Sequence, residues 1–555
     1  MCSAQPSDID RFPENRYLFP FALAPALPVC HHGYTTLGKE AFIVSALNTI
    51  VPEKICLVIP PSVFLLDERV FTTLGILKVA ASLEVAGWPV EVLDLSGFTN
   101  YEEITRLHVE QSDARIFAMT TTTPQMPATA NVAAAVREAR PSAATIIGGP
   151  HPTLITAALK YEQKQNLEGR AHKAFHQLEQ MFDVIVAGDG EDAIFAAVAV
   201  VDTEQTLVDA DNSSSPMFLT SKRLDESPWP ARHLVDLESY KYEIEGYRAT
   251  SLIAQLGCPF NCGFCGGRQS PMLRRIRTRT SKNIIDELEF LHLTYGYRGF
   301  MFYDDELNVN KDIVQLMDGI CDLQDKLGTD FRLRGFVKAE LFTAEQAKVM
   351  YRAGFRQLLT GFESGSPRIL ENINKKATRD DNSRAVAFAK SVGMKVKALM
   401  SLGHPGESPQ TVEDTKNWLL EVEPDDFDCT IITTYPGSPY YDHAVETKPG
   451  IWTYEYKKNG DRLHAYELDY NVTADYYKGD PDGGYKAYVF SDHISSEELV
   501  AARDALEKEV REKLNIPFNA SAASINYEHS MGQMGPLPAN ILRASVPEQT
   551  QRKAA

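Results

Sequence analysis

The sequence predicts an α/β protein with two parallel-strand arrays in tandem. Three observations carry that expectation. Short apolar runs alternate with helical patterns over about 51–201, and again over 249–440. Several runs close on glycine or small hydroxyl residues, as in "TTTT" (120–123), "GGPH" (148–151) and "GDGE" (188–191). A stretch richer in Ser, Asp and Pro (202–248) separates the arrays as a partly ordered linker.

In the first array the β-runs are "ICLVIPPS" (55–62), "PVEVLDLS" (89–96), "ARIFAMTTTT" (114–123), "ATIIGGPH" (144–151) and "FDVIVAGDGE" (182–191). Helices fall between them. "TTLGILKVAASLEVAG" (72–87) starts at Thr72 or Thr73 and stops at Gly87, and "ANVAAAVREAR" (130–140) and "DAIFAAVAV" (192–200) follow later. Five such units predict a flavodoxin/Rossmann-like sheet, covered on both faces, that binds ligands beyond the carboxyl ends of its strands. No GxGxxG or Walker A follows these strands, so dinucleotide and P-loop readings have no support.

The second array has six β-runs: "TSLIAQL" (250–256), "GFMFYDD" (299–305), "FRLRGFV" (331–337), "RQLLTGFE" (356–363), "KVKALMSLG" (395–403) and "FDCTIITTY" (427–435). Six β/α units predict a partial (β/α)6 TIM-like barrel with its chemistry at the carboxyl ends of the strands. A mixed, helical C-terminal extension (441–517) follows, including the Ser-capped helix "SSEELVAARDALEKEVREKL" (495–514). Residues 1–50 read as an irregular leader and 518–555 as a flexible tail.

Composition bounds the function. The 555 residues carry 56 Lys and Arg against 75 Asp and Glu, a formal charge of -19, which disfavours phosphate-backbone binding and so a nucleic-acid partner. No run of 18 apolar residues predicts a membrane span, and the acidic, proline-broken N-terminus is not a signal peptide. Cys2, Cys30, Cys56, Cys321 and Cys429 are scattered, without disulfide-framework spacing, which fits a reducing cytoplasm.

The remaining cysteines, Cys258, Cys262 and Cys265, form CxxxCxxC in "QLGCPFNCGFCGG", directly after the first strand of the second array. A structural zinc site needs four ligands, and the nearest further candidates, His233 and His292, are at least 25 residues away. Three thiolates suit a [4Fe–4S] cube with one iron left open to a small chelating ligand. The basic run "RQSPMLRRIRTRTSK" (268–282) reads as a solvated or salt-bridged surface, or as a share in holding an anion.

This arrangement resembles the radical S-adenosylmethionine (SAM) superfamily, whose motif also places an aromatic residue before the third cysteine, as Phe264 is here. The resemblance implies that the three cysteines hold the cluster, which cleaves SAM to a 5′-deoxyadenosyl radical that takes hydrogen from a small-molecule substrate. It further implies SAM contacts from Asp304, Asp305 and Glu306 in "FYDDEL", Glu363 and Ser364 in "GFESGS", and Gly403 and Gly406 in "SLGHPGES", with "YPGSPYY" closing the array. An electron donor such as flavodoxin or ferredoxin is implied as partner.

A five-stranded domain ahead of such a barrel resembles the cobalamin-dependent branch. By that resemblance Thr121, Thr122, Gly148, Gly149, Gly188, Asp189, Gly190 and Glu191 line the cobalamin. The DxHxxG motif is absent; "LLDERVFTTLG" stands in its place, and His151 reads as a loop residue beside the ligand. The branch implies methyl transfer from methylcobalamin to carbon or phosphorus, with an oxidative cyclase or rearrangement catalyst of the same class as the alternative. A tRNA methylthiotransferase and an iron–sulfur or zinc-stabilised scaffold are the further rivals.

Overall fold

The computed structural model describes residues 52–63, 68–477 and 484–517. The leader and tail expected at the two ends lie outside the described residues, as do Cys2 and Cys30.

The first sheet contains β1 (Ile55–Ile59), β2 (Val90–Asp94), β3 (Ile116–Thr120), β4 (Ala144–Gly148), β5 (Val184–Ala187) and β6 (Leu207–Asp209). All pairings are parallel, in the order β2-β1-β3-β4-β5-β6. The sixth strand comes from the stretch expected to be linker. β1, β3, β4 and β5 are almost wholly buried, because helices cover both faces. The chain order reverses between β1 and β3, which opens a crevice beyond their carboxyl ends. Gly149 has φ 96 and a Cβ there would stand 2.9 Å from the Thr121 nitrogen, so glycine is needed where β4 turns into the helix Pro150–Lys164.

The second sheet begins with the short hairpin β7 (Glu243–Ile244) and β8 (Tyr247–Leu252). The small ladder β9 (Gln255–Leu256) and β10 (Arg277–Thr278) brackets the cysteine loop. Next come β11 (Gly299–Phe302), β12 (Arg332–Phe336), β13 (Phe355–Glu363), β14 (Lys395–Leu402) and β15 (Asp426–Ile431). The order β15-β14-β13-β12-β11-β8-β7 is sequential, parallel from β8 to β15, and open between its ends: a half-barrel. Its helix-facing side holds the largest core, with Phe300, Phe302, Phe331, Phe355 and Trp418.

The C-terminal extension is more β than expected. β16 (Val445–Lys448), β17 (Ile451–Tyr456), β18 (Asp461–Tyr466) and β19 (Val489–Ser491) form an antiparallel sheet ahead of the helix Ser496–Leu514. That helix protects the open edge of the half-barrel. Glu507 accepts from the Cys429 amide at 2.7 Å, Arg503 donates to the Cys429 carbonyl at 2.7 Å, and Arg511 donates to the Phe427 carbonyl. Side chains thus satisfy edge groups that would otherwise template a further strand.

Candidate functional site

The cysteine loop leaves β9 through Gly257, whose φ is 86 and whose hypothetical Cβ would stand 2.1 Å from the Arg275 carbonyl oxygen. Backbone bonds anchor the loop: Cys258 N to Leu273 O at 2.9 Å, Gly263 N to Ile373 O at 2.8 Å and Tyr440 N to Gly263 O at 3.0 Å. Buried Arg268 threads beneath it and donates to the Cys258 carbonyl at 3.2 Å and to the Phe260 carbonyl. The loop is therefore held before any ligand arrives. Cys262 is buried, Cys258 and Cys265 half-buried. Burial raises all three thiols, Cys265 to about 12, while Lys375 and Lys338 oppose the rise at Cys262. A positively charged centre is what turns such thiols into thiolates.

The three sulfurs do not all lie within 4.8 Å of one another. Among the described residues only Cys56, Glu91 and His108 bring three ligand atoms within 4.8 Å of one another, so the loop thiols stand wider than a single ion requires. That spacing disfavours mononuclear zinc and fits a cluster of several metals. Phe264 packs edge-on to His404, with ring centres 5.5 Å apart.

The three acids after β11 point to different places. Asp304 is buried and accepts from the amides of Ala254 at 3.1 Å and Gln255 at 2.5 Å. It fixes the chain entering the cysteine loop, and burial pushes its carboxyl up to about 7. Asp305 has no hydrogen-bond partner among the described residues and is exposed to a cavity that it helps to line. Burial raises the Glu306 carboxyl to about 7, with Lys375 and Lys338 opposing it.

Glu363, at φ 65 at the end of β13, accepts from Lys375 Nζ at 2.9 Å and from Ser401 Oγ at 2.8 Å. Burial alone would raise its carboxyl; Lys375 and these hydrogen bonds outweigh it and hold the group below its ordinary value. Ser401 donates its hydroxyl hydrogen to the Glu363 carboxylate, so its oxygen accepts from His404 Nε2 at 2.8 Å, which sets the His404 tautomer. Sequence reasoning missed Lys338, Lys375, Ser401 and His404; neither "FVKAE" nor "NINKKAT" carries a local sign that its Lys338 or Lys375 is buried.

Three expected SAM contacts also pack against the protein itself. Ser364 is buried on Thr415 at 3.0 Å. A Cβ on Gly403 would stand 2.8 Å from Val489, and one on Gly406 would stand 2.5 Å from the Asp461 carboxylate. The C-terminal extension fills the room beside both glycines.

A cavity of roughly 320 Å³ lies between the two sheets. Its first wall is the carboxyl end of the first sheet, with Leu57, Ala118, Met119, Ile146, Gly148, Gly149, Val186, Gly188, Asp189, Gly190 and Glu191. Its second wall is Ile253, Leu256, Gly257, Leu273, Arg277 and Asp305, around the cysteine loop. Six of the eight residues expected to line cobalamin therefore face it. Thr121 and Thr122 do not: Thr121 is buried against Thr129 at 2.9 Å, and Thr122 caps a short 3₁₀ turn through Gln125 at 2.8 Å. His151 is not in a loop. It sits fully buried in the first turn of its helix, 2.8 Å from Asn471 in the C-terminal extension, and does not line the cavity.

Much of the basic run works inside the protein. Arg277 pairs with Asp189 at 2.5 Å across the seam, and Arg279 pairs with Glu287 at 2.6 Å. Arg274 donates to Asn261 and to the Pro259 carbonyl, each at 3.1 Å.

Comparisons with known proteins agree with this geometry. The family model of the Radical SAM superfamily matches residues 252–419, and that of the B12 binding domain matches residues 68–165. An uncharacterised methyltransferase of Pyrococcus horikoshii is 27% identical over 405 residues, covering 71% of this chain and 83% of its own. The anaerobic magnesium-protoporphyrin IX monomethyl ester cyclase of Cereibacter sphaeroides is 24% identical over 410 residues; the match covers 68% of this chain and 63% of the cyclase, just under two thirds of its length. The solved structure of the radical S-adenosylmethionine methyltransferase TsrM from Kitasatospora setae superposes with a TM-score of 0.61 at 17% identity, covering 90% of this chain and 100% of that one. The chain thus carries a radical SAM domain in its half-barrel, preceded by a B12 binding domain in its first sheet.

Proposed function

We propose that this enzyme transfers a methyl group to a small-molecule substrate held between its two sheets. One observation carries the reading: a single cavity is walled by the ligand-binding end of the first sheet and by the cysteine loop of the second. When bound, the [4Fe–4S] cluster supplies the electron that cleaves SAM, and cobalamin supplies the methyl group.

The chain's own residues prepare that chemistry. Cys258, Cys262 and Cys265 hold the iron on a loop fixed by Arg268. Lys338 and Lys375 temper the negative charge that three thiolates add to a buried place. Glu363, oriented by Lys375 and Ser401 and held below its ordinary value, presents a carboxylate for hydrogen bonds to SAM, and Glu306 offers a second carboxyl group. Gly148, Gly149, Gly188, Asp189, Gly190 and Glu191 would border the corrinoid, and the residues lining the cavity include no histidine. Asp305 faces the same space and is placed to accept a hydrogen bond from the substrate or from SAM.

A flavodoxin or ferredoxin of a reducing cytoplasm would deliver the electron; no helix among the described residues is long and apolar enough to cross a membrane. Anaerobic reconstitution with iron, sulfide and hydroxocobalamin, followed by turnover with methyl-labelled SAM, tests the reading. Label in the product supports methyl transfer. Formation of 5′-deoxyadenosine with label in no product assigns the chain instead to cyclase-type chemistry, as in the relative from Cereibacter sphaeroides.

A further inference from the structure

The first sheet carries a second constellation, remote from the cavity and unused by the proposed chemistry. Cys56 on β1 and Glu91 on β2 are direct cross-strand partners in the parallel register, so their side chains project from the same face. The helix Tyr101–Gln111 lies across that face and lowers His108 between them. His108 Nε2 stands 3.5 Å from Cys56 Sγ and 3.1 Å from Glu91 Oε1. Both contacts fall on the same nitrogen. A thiol activated by a histidine–carboxylate pair would use opposite ring nitrogens, so this is not a nucleophile.

We propose that Cys56, Glu91 and His108 form a divalent-metal site, zinc by its donor set, at the amino-terminal end of the first sheet. Sulfur, imidazole nitrogen and carboxylate oxygen together suit zinc. Ordinary zinc bond lengths in a tetrahedron place sulfur and nitrogen about 3.5 Å apart and nitrogen and oxygen about 3.3 Å apart. The observed separations of 3.5 Å and 3.1 Å are close to both.

The surroundings are compatible. Glu91 sits among three donors, His108, Ser112 and Lys54. Its two oxygens are divided, Oε2 facing Lys54 at 3.4 Å while Oε1 faces His108 and accepts from the Ser112 hydroxyl. Lys54 is shared with Asp113, which draws its charge away from the cluster. Cys56 is fully buried, whereas His108 and Glu91 keep 20% and 22% of their side chains exposed, which leaves an open side for a water as fourth ligand. Such a metal would staple the edge strand β2 to its neighbour and to the covering helix, far from SAM.

The test uses the full-length protein, kept anaerobic, loaded with excess zinc and desalted. Zinc and iron are then measured together in wild type, Cys56→Ala, Glu91→Gln and His108→Gln. The expected result is about one zinc per chain fewer in each variant, with iron content and far-ultraviolet circular dichroism unchanged. Cobalt(II) is the second probe, giving thiolate-to-cobalt charge-transfer absorption in wild type that Cys56→Ala lacks. If Cys56→Ala does not fold, the two conservative variants decide. Equal zinc in wild type and in Glu91→Gln and His108→Gln overturns the proposal and leaves a hydrogen-bonded cluster only.

Discussion

Arg277 and Asp189 form a buried ion pair at 2.5 Å that joins the strand after the cysteine loop to the carboxyl end of the first sheet. Asp189 Oδ2 also accepts from the Leu219 amide at 3.0 Å. Removing one partner of a buried pair strands the other, at a cost of about 3–5 kcal/mol. Asp189→Asn and Arg277→Met should each lower stability by that order in urea unfolding, and the double replacement should cost less than the sum. Additive losses would show that the two groups are not coupled.

Each of Cys258→Ala, Cys262→Ala and Cys265→Ala should lose iron–sulfur absorbance and SAM cleavage after anaerobic reconstitution, because the loop offers no fourth thiol to substitute. Retained formation of 5′-deoxyadenosine in any single variant would contradict the assignment.

Gly257→Ala is a sharper probe of the same loop, since it removes no ligand. The new methyl group would meet the Arg275 carbonyl at 2.1 Å from a backbone of φ 86, and neither can yield without moving the loop. Strained backbone of this kind costs on the order of 1–3 kcal/mol. The protein should fold, with melting lowered by a few degrees, yet bind iron substoichiometrically.

Gly75 lines the cavity, and nothing lies within 4 Å of where its Cβ would be. Gly75→Trp should therefore fill the cavity without disturbing the core. Hydroxocobalamin affinity should fall at least tenfold, followed by its visible spectrum, while iron content stays at the wild-type level. Unchanged affinity would place the corrinoid elsewhere.

Glu407 gives a pH signature. It is fully buried and accepts from the Gly403 amide at 3.0 Å and the Thr411 hydroxyl at 2.5 Å, and burial outweighs both, raising its carboxyl to about 7. The folded state keeps this proton where the unfolded chain has lost it. The stabilisation is complete below the ordinary value of 4.5 and is lost as pH rises toward about 7. Glu407→Gln does not titrate, so wild-type stability relative to it should fall by about 1.4 kcal/mol per pH unit across that window. Urea melts at pH 5 and 7.5 check this; a pH-independent difference would mean that Glu407 is ionised throughout.

The local features were legible because they are local. Alternation of apolar runs with helical periods comes from neighbouring residues, and it marked both sheets down to the turn at Gly149. The spacing of Cys258, Cys262 and Cys265, with no fourth thiol nearby, equally belongs to one loop. Sequence alone therefore determined two α/β layers and an open, thiol-bearing site at the end of a strand. Tertiary structure decided what those positions face. "DDE" reads as three equivalent acids, yet packing ties Asp304 to backbone, turns Asp305 to the cavity and sets Glu306 among lysines. Gly403 and Gly406 look like open positions, but Val489 and Asp461, more than 50 residues later, pack against their Cβ sides. Cys56 looked like a stray thiol until strand register brought Glu91 beside it and a helix brought His108. The reason is common to all three: periodicity fixes which way a side chain points on its own element, whereas register and packing between distant segments fix what it meets.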